Sequence, residues 1–275
     1  MNVTRLRAEY RKINMGIIIT QPRIRKGVSG TKVIHDPDGA TNVVRIGAKV
    51  SNWAVGLTVA PRKTPTHDVT IDSFIEAGWG SIHLFAEPGV VVNQRHASFP
   101  ITKREHKLGA WKNWFTALRE LVEFYPKADC YGLIQDDVVF CKGVKKFLEA
   151  TLWPAPDVGI CSIFTPSHYT KEVAGWYKNN RGGKLWMAQT YFFTPESARS
   201  CISHPRCVNW KKDRQIDNVV GFWSKATKMY PYYFSPSLAQ HIGHSSTLWS
   251  KRNKANGRRA ASDFVGQDYD IGHGL

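Results

Sequence analysis

Between Trp53 and Phe164, apolar runs of strand length alternate with amphipathic stretches of helical period, and this alternation limits the fold more than any other feature of the chain. Residues 54–60 form an apolar run closed by Pro61. Residues 68–77 place Val69, Ile71, Phe74 and Ile75 at helical spacing, with Gly78 as the stop. A strand follows at 81–85, ended by Glu87-Pro88-Gly89. A helix spans 108–124, with Trp111, Trp114, Phe115, Leu118, Leu121 and Val122 on one side. A strand at 130–134, a helix at 144–150 and a strand at 158–164 complete the series. Strand–helix–strand repetition of this kind predicts an α/β fold, a mostly parallel sheet flanked by helices. In such sheets ligands bind at the carboxyl ends of the strands. Thr58 to Arg62, Glu87 and Asp136-Asp137 all fall at such ends.

The residues after the strand at 130–134 carry the strongest chemical signal. Gln135-Asp136-Asp137 sets two adjacent carboxylates at the end of a buried strand. Like charges so placed repel each other and need a cation or a positive side chain nearby. A divalent metal carrying a nucleoside diphosphate would meet that need. A pair of strand-end acids that faces solvent or caps a turn is the structural alternative.

The chain has 275 residues, enough for one domain with an extension, and 42% of them are hydrophobic. No apolar run approaches the length of a membrane span, so stable membrane insertion is not expected. Cys130, Cys141, Cys161, Cys201 and Cys207 are odd in number and show no CxxC spacing. That argues against zinc and for a reducing, cytoplasmic setting, the host cytoplasm if the source is viral. The formal net charge is +16, and it is clustered. Residues 1–32 hold eight Lys and Arg against Glu9; Lys211, Lys212 and Arg214 make a second group, and Lys251, Arg252, Lys254, Arg258 and Arg259 a third. Such charge implies a polyanionic partner, or else a well-solvated basic surface. The expected organisation is a basic β-rich extension over 1–52, with a turn at Asp36-Pro37-Asp38-Gly39, a catalytic domain over 53–250 and a basic tail over 251–275.

The order of these segments resembles the GT-A fold of glycosyltransferases, a Rossmann-like sheet flanked by helices. Residues 185–198, Leu-Trp-Met-Ala-Gln-Thr-Tyr-Phe-Phe-Thr-Pro-Glu-Ser-Ala, resemble the GT-A segment in which a strand passes under the acceptor site and leads into a helix. Gln240-His241-Ile242-Gly243-His244-Ser245-Ser246 resembles the C-terminal motif of the class IV branching N-acetylglucosaminyltransferases. The resemblance covers roughly residues 53–250. It implies a nucleotide-sugar donor, a UDP-sugar first, and Mn²⁺ or Mg²⁺. In place of Asp-x-Asp this chain has Gln135-Asp136-Asp137, so Asp137 takes the metal-binding position with Asp136 in reserve. Gln135 is left to hydrogen-bond a ribose or a metal-bound water. His241 matches the family histidine that completes the metal shell, with His244 as the neighbouring option; a hydrogen-bonded core histidine is the alternative role. Thr58, Ala60, Pro61 and Arg62 correspond to the nucleoside cradle, and Glu87, at the next strand end, is expected to contact the donor with them. Ser245, Ser246 and Lys251 would face the diphosphate.

The resemblance also implies an inverting transfer, which needs a carboxylate to accept the proton of the acceptor hydroxyl. Asp217, at the start of a predicted helix, fits that role, with Asp213 as the second choice; an N-cap is the competing role of Asp217. The acceptor is not carried over from the branching enzymes. Aromatic residues interleave with cations in Trp176-Tyr177-Lys178-Asn179-Asn180-Arg181 and Trp210-Lys211-Lys212, as a nucleic-acid surface requires. A hydroxymethylated base in DNA, the substrate of glycosyltransferases of bacterial viruses, fits this pattern. Segment 175–186 is expected to be a mobile loop that reaches such a base. Two alternatives remain at this stage. One is a cytoplasmic transferase acting on a glycan, a lipid-linked sugar or a protein; the other is a non-catalytic nucleic-acid-binding protein on a degenerate GT-A scaffold. The sequence leaves the sugar and the oligomeric state unassigned.

Overall fold

A computed structural model describes residues 33–35, 41–43, 49–179, 185–212, 215–243 and 259–273. Its frame is an eight-stranded sheet, and the architecture is the mixed α/β one expected from the strand–helix alternation. In chain order the elements are β1 (Val33–His35), β2 (Thr41–Val43), β3 (Trp53–Val59), α1 (His67–Glu76), β4 (His83–Ala86), β5 (Ile101–Lys103), α2 (Ala110–Phe124), β6 (Cys130–Gln135), β7 (Val138–Phe140) and α3 (Val144–Thr151). There follow β8 (Val158–Ser162), β9 (Gly175–Lys178), β10 (Thr190–Phe193), α4 (Pro195–Ser203), α5 (Pro205–Val208), α6 (Ile216–Thr227), β11 (Tyr230–Ser235) and β12 (Ala239–His241). The large sheet runs β5-β4-β3-β6-β10-β8-β11-β9. Neighbours from β5 to β6 are parallel, as are β8 and β11, while β10 and β9 run antiparallel to their partners. β1 and β2 pair antiparallel as a separate two-stranded sheet, and the turn expected at 36–39 lies outside the described residues.

The central strands are apolar throughout because both faces of the sheet are covered. In β6, Cys130 and Ile134 join one core, while Tyr131 and Leu133 join the other. The first core contains Ile71 and Phe74 of α1 and Val144, Phe147 and Leu148 of α3. The second contains Trp111, Trp114 and Leu118 of α2, Ala198 and Cys201 of α4, and Val219, Val220 and Trp223 of α6. α2 begins without a side-chain cap, at Gly109 with φ +82°. The buried Glu87 carboxylate substitutes, accepting from the amides of Leu108 and Gly109 at 3.0 Å each, where a negative charge also suits the helix dipole.

The structure departs from the sequence reading in four places. The first is the orientation of α1. Val69 and Ile75, read as part of its apolar face, are 49% and 43% exposed, while Thr70 and Ser73 are buried. The helix is turned so that its hydroxyls meet β7: Thr70 Oγ1 accepts from Val138 N at 3.2 Å, and Ser73 Oγ accepts from Phe140 N at 2.7 Å. Secondly, residues 175–178 are not a mobile loop. They form β9, paired with β11 and closing the edge of the sheet, because Trp176 packs edge-on against Phe234 at 5.3 Å; residues 180–184 lie outside the described set. Thirdly, residues 259–273, expected as a tail beyond the domain, pack into it: Ala261 and Ile271 are buried, and the Gln240 amide bonds both the N–H and the C=O of Ala261 at 3.0 Å. Finally, Asp217 does not cap α6. Gln215 holds that position, and Asp217 lies in the first turn.

Candidate active site

The chain moves from β3 outward to β4 and β5, then returns to place β6 on the other side of β3. The carboxyl ends of β3 and β6 therefore flank the point where strand order reverses, the usual crevice for a ligand in an open α/β sheet. Thr58 and Gln135 are partners in register there. Asp136 and Asp137 form the turn that follows, between β6 and β7, and both are buried.

Three elements converge on this turn. From the end of β3, Ala60 N donates to Asp136 Oδ2 at 3.0 Å. The Arg62 guanidinium donates through Nε and Nη2 to Asp136 Oδ1 and through Nη2 to Asp137 Oδ2 at 2.9 Å. From α1, Thr66 Oγ1 donates to the Asp136 carbonyl at 2.6 Å. From the C-terminal side, β12 pairs with β7 in a two-stranded ribbon, His241 opposite Val138. That register puts His241 Nε2 at 3.0 Å from Asp137 Oδ2 across 104 residues of sequence. Gly243 follows closely. A Cβ there would lie 2.7 Å from Asp137 Oδ2 and 2.8 Å from His241 Nε2, so only glycine lets the backbone pass.

The electrostatics follow from burial and these contacts. Burial raises the Asp136 carboxyl above its ordinary value, Arg62 pulls it down, and Asp137 adds to the rise. Burial acts on Asp137 in the same upward sense, but the hydrogen bond and charge of His241, then Arg62, hold it down at about 2. Burial works against the Arg62 charge, yet the two carboxylates keep its pKa above the usual guanidinium value.

The residues fit a divalent cation: Asp137 Oδ1 is buried without a hydrogen-bond partner, and a carboxylate beside an imidazole is a donor set such an ion accepts. Among the described residues no group of three or more His, Cys, Asp or Glu side chains forms a ready-made metal cage. An ion here would use Asp137 and His241 from the chain and take further oxygens from its ligand and water, the usual manner of Mg²⁺.

Asp217 meets the segment that precedes β10. Its Oδ1 accepts from Asn218 N at 2.9 Å and its Oδ2 from Met187 N at 3.2 Å. Two residues further on, Gln189 O accepts from Gln135 N at 3.0 Å. Residues 187–189 thus link the Asp217 carboxylate to Gln135, the residue before the acid pair. Burial raises the Asp217 pKa, and the Met187 and Asn218 amides and the Arg259 charge oppose the rise.

No protein-family model matches the chain. No curated protein sequence matches it. Two solved structures share part of its outline. A CMP:2-keto-3-deoxy-manno-octonic acid synthetase complexed with CTP overlaps 68% of this chain and 92% of its own, with 9% identity and a TM-score of 0.41. GalNAc-T7 with UDP, GalNAc and Mn²⁺ overlaps 70% of this chain, with 9% identity and a TM-score of 0.46; the chain spans 44% of that protein.

The structure thus gathers Ala60, Arg62, Asp136, Asp137 and His241 in one cluster, with Thr58 and Gln135 at its edge. Pro61 is exposed, and Glu87 is engaged by the start of α2. Asp213, His244, Ser245, Ser246 and Lys251 lie outside the described residues. Sequence reading missed Thr66, Gln189 and Gly243. Thr66 had a signal, since it stands four residues before Thr70 and seven before Ser73, on one helical face.

Proposed function

We propose that the chain is a nucleotide-sugar-dependent glycosyltransferase with its donor site at Asp136, Asp137, His241 and Arg62. The observation that carries this reading is the convergence of a buried acid pair, an imidazole and a guanidinium at the switch point between β3 and β6. That crevice is where an α/β sheet takes a nucleotide. The position of Asp137 and His241 also agrees with the GT-A and class IV resemblance of the sequence. Bound at Asp137 and His241, Mn²⁺ or Mg²⁺ would supply positive charge to a diphosphate. Arg62 offers a second cation to the same group. Thr58 and Ala60 line the end of β3 where the nucleoside would lie, a UDP-sugar being the first expectation.

Asp217 is the proposed base. A carboxylate raised by burial is better matched to proton abstraction than an ordinary one. It takes the proton of the acceptor hydroxyl as that oxygen bonds to the anomeric carbon. The bond from this carbon to the diphosphate oxygen breaks, and the nucleoside diphosphate leaves with the electron pair. The acceptor we favour is a nucleic-acid base bearing a hydroxymethyl group, because the net charge of +16 calls for a polyanion.

A second reading draws on Arg62. Because it already bridges both carboxylates, the same cluster could serve a binding protein on a GT-A-like scaffold that turns over no donor. The deciding experiment incubates the full chain with a panel of nucleotide sugars, with Mn²⁺, Mg²⁺ or EDTA, and with plain or hydroxymethylated DNA. Released nucleoside diphosphate and a sugar-sized mass gain on hydroxymethylated DNA are expected. Absence of donor hydrolysis with every sugar and metal would leave only the binding reading; a mass gain on glycans or proteins alone would remove the DNA acceptor.

A further inference from the structure

Among the described residues Trp186 is the most exposed tryptophan, at 40%. Its position is nevertheless fixed. Leu185 before it is buried in the core under α2 and α6. Met187 after it is held in the left-handed region, φ +64°, with its N–H bound to the Asp217 carboxylate. A non-glycine residue in that region is unfavourable and persists where its surroundings impose it, commonly at functional sites. The indole contacts the His168 ring edge-on, with centroids 4.9 Å apart and planes at 73°. An edge contact steadies the ring without stacking on it. His168 is itself tied to the C-terminal segment, since its neighbour Ser167 donates to Ala260 O at 3.2 Å. Arg259, adjacent to Ala260, carries a charge that acts on the Asp217 carboxylate. An exposed indole held by a ring contact is followed, one residue on, by an amide bound to a carboxylate that feels the charge of Arg259, so three different chemistries meet along this segment.

We propose that Trp186 is the stacking platform for an unpaired nucleobase, held beside Asp217 with Arg259 placed for the adjoining phosphate. This rests on the reading of Asp217 as the acceptor-side base, and it gives that side of the site a substrate class. A planar ring laid on the indole gains stacking energy whatever its sequence identity. Arg259 suits the phosphodiester that every nucleotide carries. A neutral sugar can also rest on an indole, but it leaves Arg259 and the excess of positive charge without a use. A base inside a duplex must leave the stack to reach this platform, so single strands should bind better than duplexes.

The test measures binding of short fluorescein-labelled oligonucleotides, deoxy and ribo, to the full chain by anisotropy over a range of salt concentrations. Trp186→Ala should weaken single-strand binding by roughly 5- to 100-fold. The slope of log affinity against log salt should not change, because an indole neutralises no phosphate. Trp186→Phe should restore most of the affinity. Arg259→Gln should instead lower the slope by about one. The tighter of the two oligonucleotides names the source of the base. Unchanged affinity in Trp186→Ala would overturn the proposal, and so would an equal loss for duplex DNA or heparin. Loss of binding to a neutral oligosaccharide, with oligonucleotide binding intact, would replace the nucleobase by a sugar. Donor hydrolysis by the unaltered chain separates the two claims. Without hydrolysis but with the stacking loss, the platform stands and the transferase reading falls; hydrolysis with no effect at Trp186 does the reverse.

Discussion

Replacing Arg62 by Met tests the electrostatic core of the site directly. Methionine keeps an apolar stem of similar length and removes the charge that bridges Asp136 and Asp137. The side chains of these three residues are 10%, 3% and 7% exposed, so water cannot take over the role of the guanidinium. Breaking a buried ion pair by removing one partner costs about 3–5 kcal/mol. At roughly 2–4 °C per kcal/mol for a domain of this size, the midpoint of thermal unfolding should fall by about 6–20 °C. The loss should depend on pH. Asp137 is held at about 2, below its unfolded value, so its stabilisation is present at neutral pH and disappears as pH falls toward about 2. Asp136, raised by burial, protonates earlier and relieves the crowding in the variant first. The gap between the two proteins should therefore be largest near about pH 7 and should narrow by about pH 4. Urea unfolding followed by fluorescence of the buried Trp114 and Trp223 measures it. A second arm adds Mn²⁺. If Asp137 and His241 hold a divalent ion, the variant should gain more than the unaltered chain, up to about 2.7 kcal/mol at a hundredfold excess over the dissociation constant. A gap below about 1 kcal/mol at neutral pH, or one that does not narrow on acidification, would refute the reasoning.

Other consequences follow from single contacts. Ser73→Ala leaves the Phe140 N–H and C=O without their side-chain partner and should cost about 1–3 kcal/mol in urea unfolding. Gly243→Ala forces Asp137 and His241 apart, and nucleoside diphosphate release should fall by about tenfold or more, equivalent to about 1.4 kcal/mol. Transfer should lose rate as pH falls through the raised pKa of Asp217; a limb at or below the ordinary carboxylate value of about 4 in the pH–rate profile would remove Asp217 as the base. All five cysteines are buried, and burial pushes Cys141 up to about 12, so a chromogenic disulfide should titrate thiols only as the chain unfolds.

The strands that carry the site were legible because burial on both faces leaves a continuous apolar run, as in β3, β6 and β8. α2 was legible from its tryptophan and leucine stripe. The pairing that completes the site was not. β7 and β12 are three residues each, too short for a period, and their partnership spans a hundred residues of chain. The face of α1 misled for a different reason. Val69 and Ile75 count as apolar in any periodicity, yet the helix buries Thr70 and Ser73 toward the backbone of 138–140, because strand amides there need hydroxyl acceptors more than the core needs two further side chains. Hydrophobic pattern alone cannot express that demand.

The charge balance of the cluster bears on how a donor would bind. Two carboxylates stand against one guanidinium in a site that excludes water. With neutral His241 the cluster carries a net negative charge and repels a diphosphate. Either a proton on His241 or a divalent ion at Asp137 and His241 must change the sign before a nucleotide sugar can settle. The proton gives only neutrality, whereas the ion makes the cluster positive and leaves Arg62 able to exchange a carboxylate for a phosphate. The two routes differ in their dependence on metal. A cluster held ready for an ion binds the donor only with Mn²⁺ or Mg²⁺ present, whereas one that needs no ion binds it equally well in EDTA. Donor affinity measured with Mn²⁺ and with EDTA therefore decides what the guanidinium is holding the acid pair ready for.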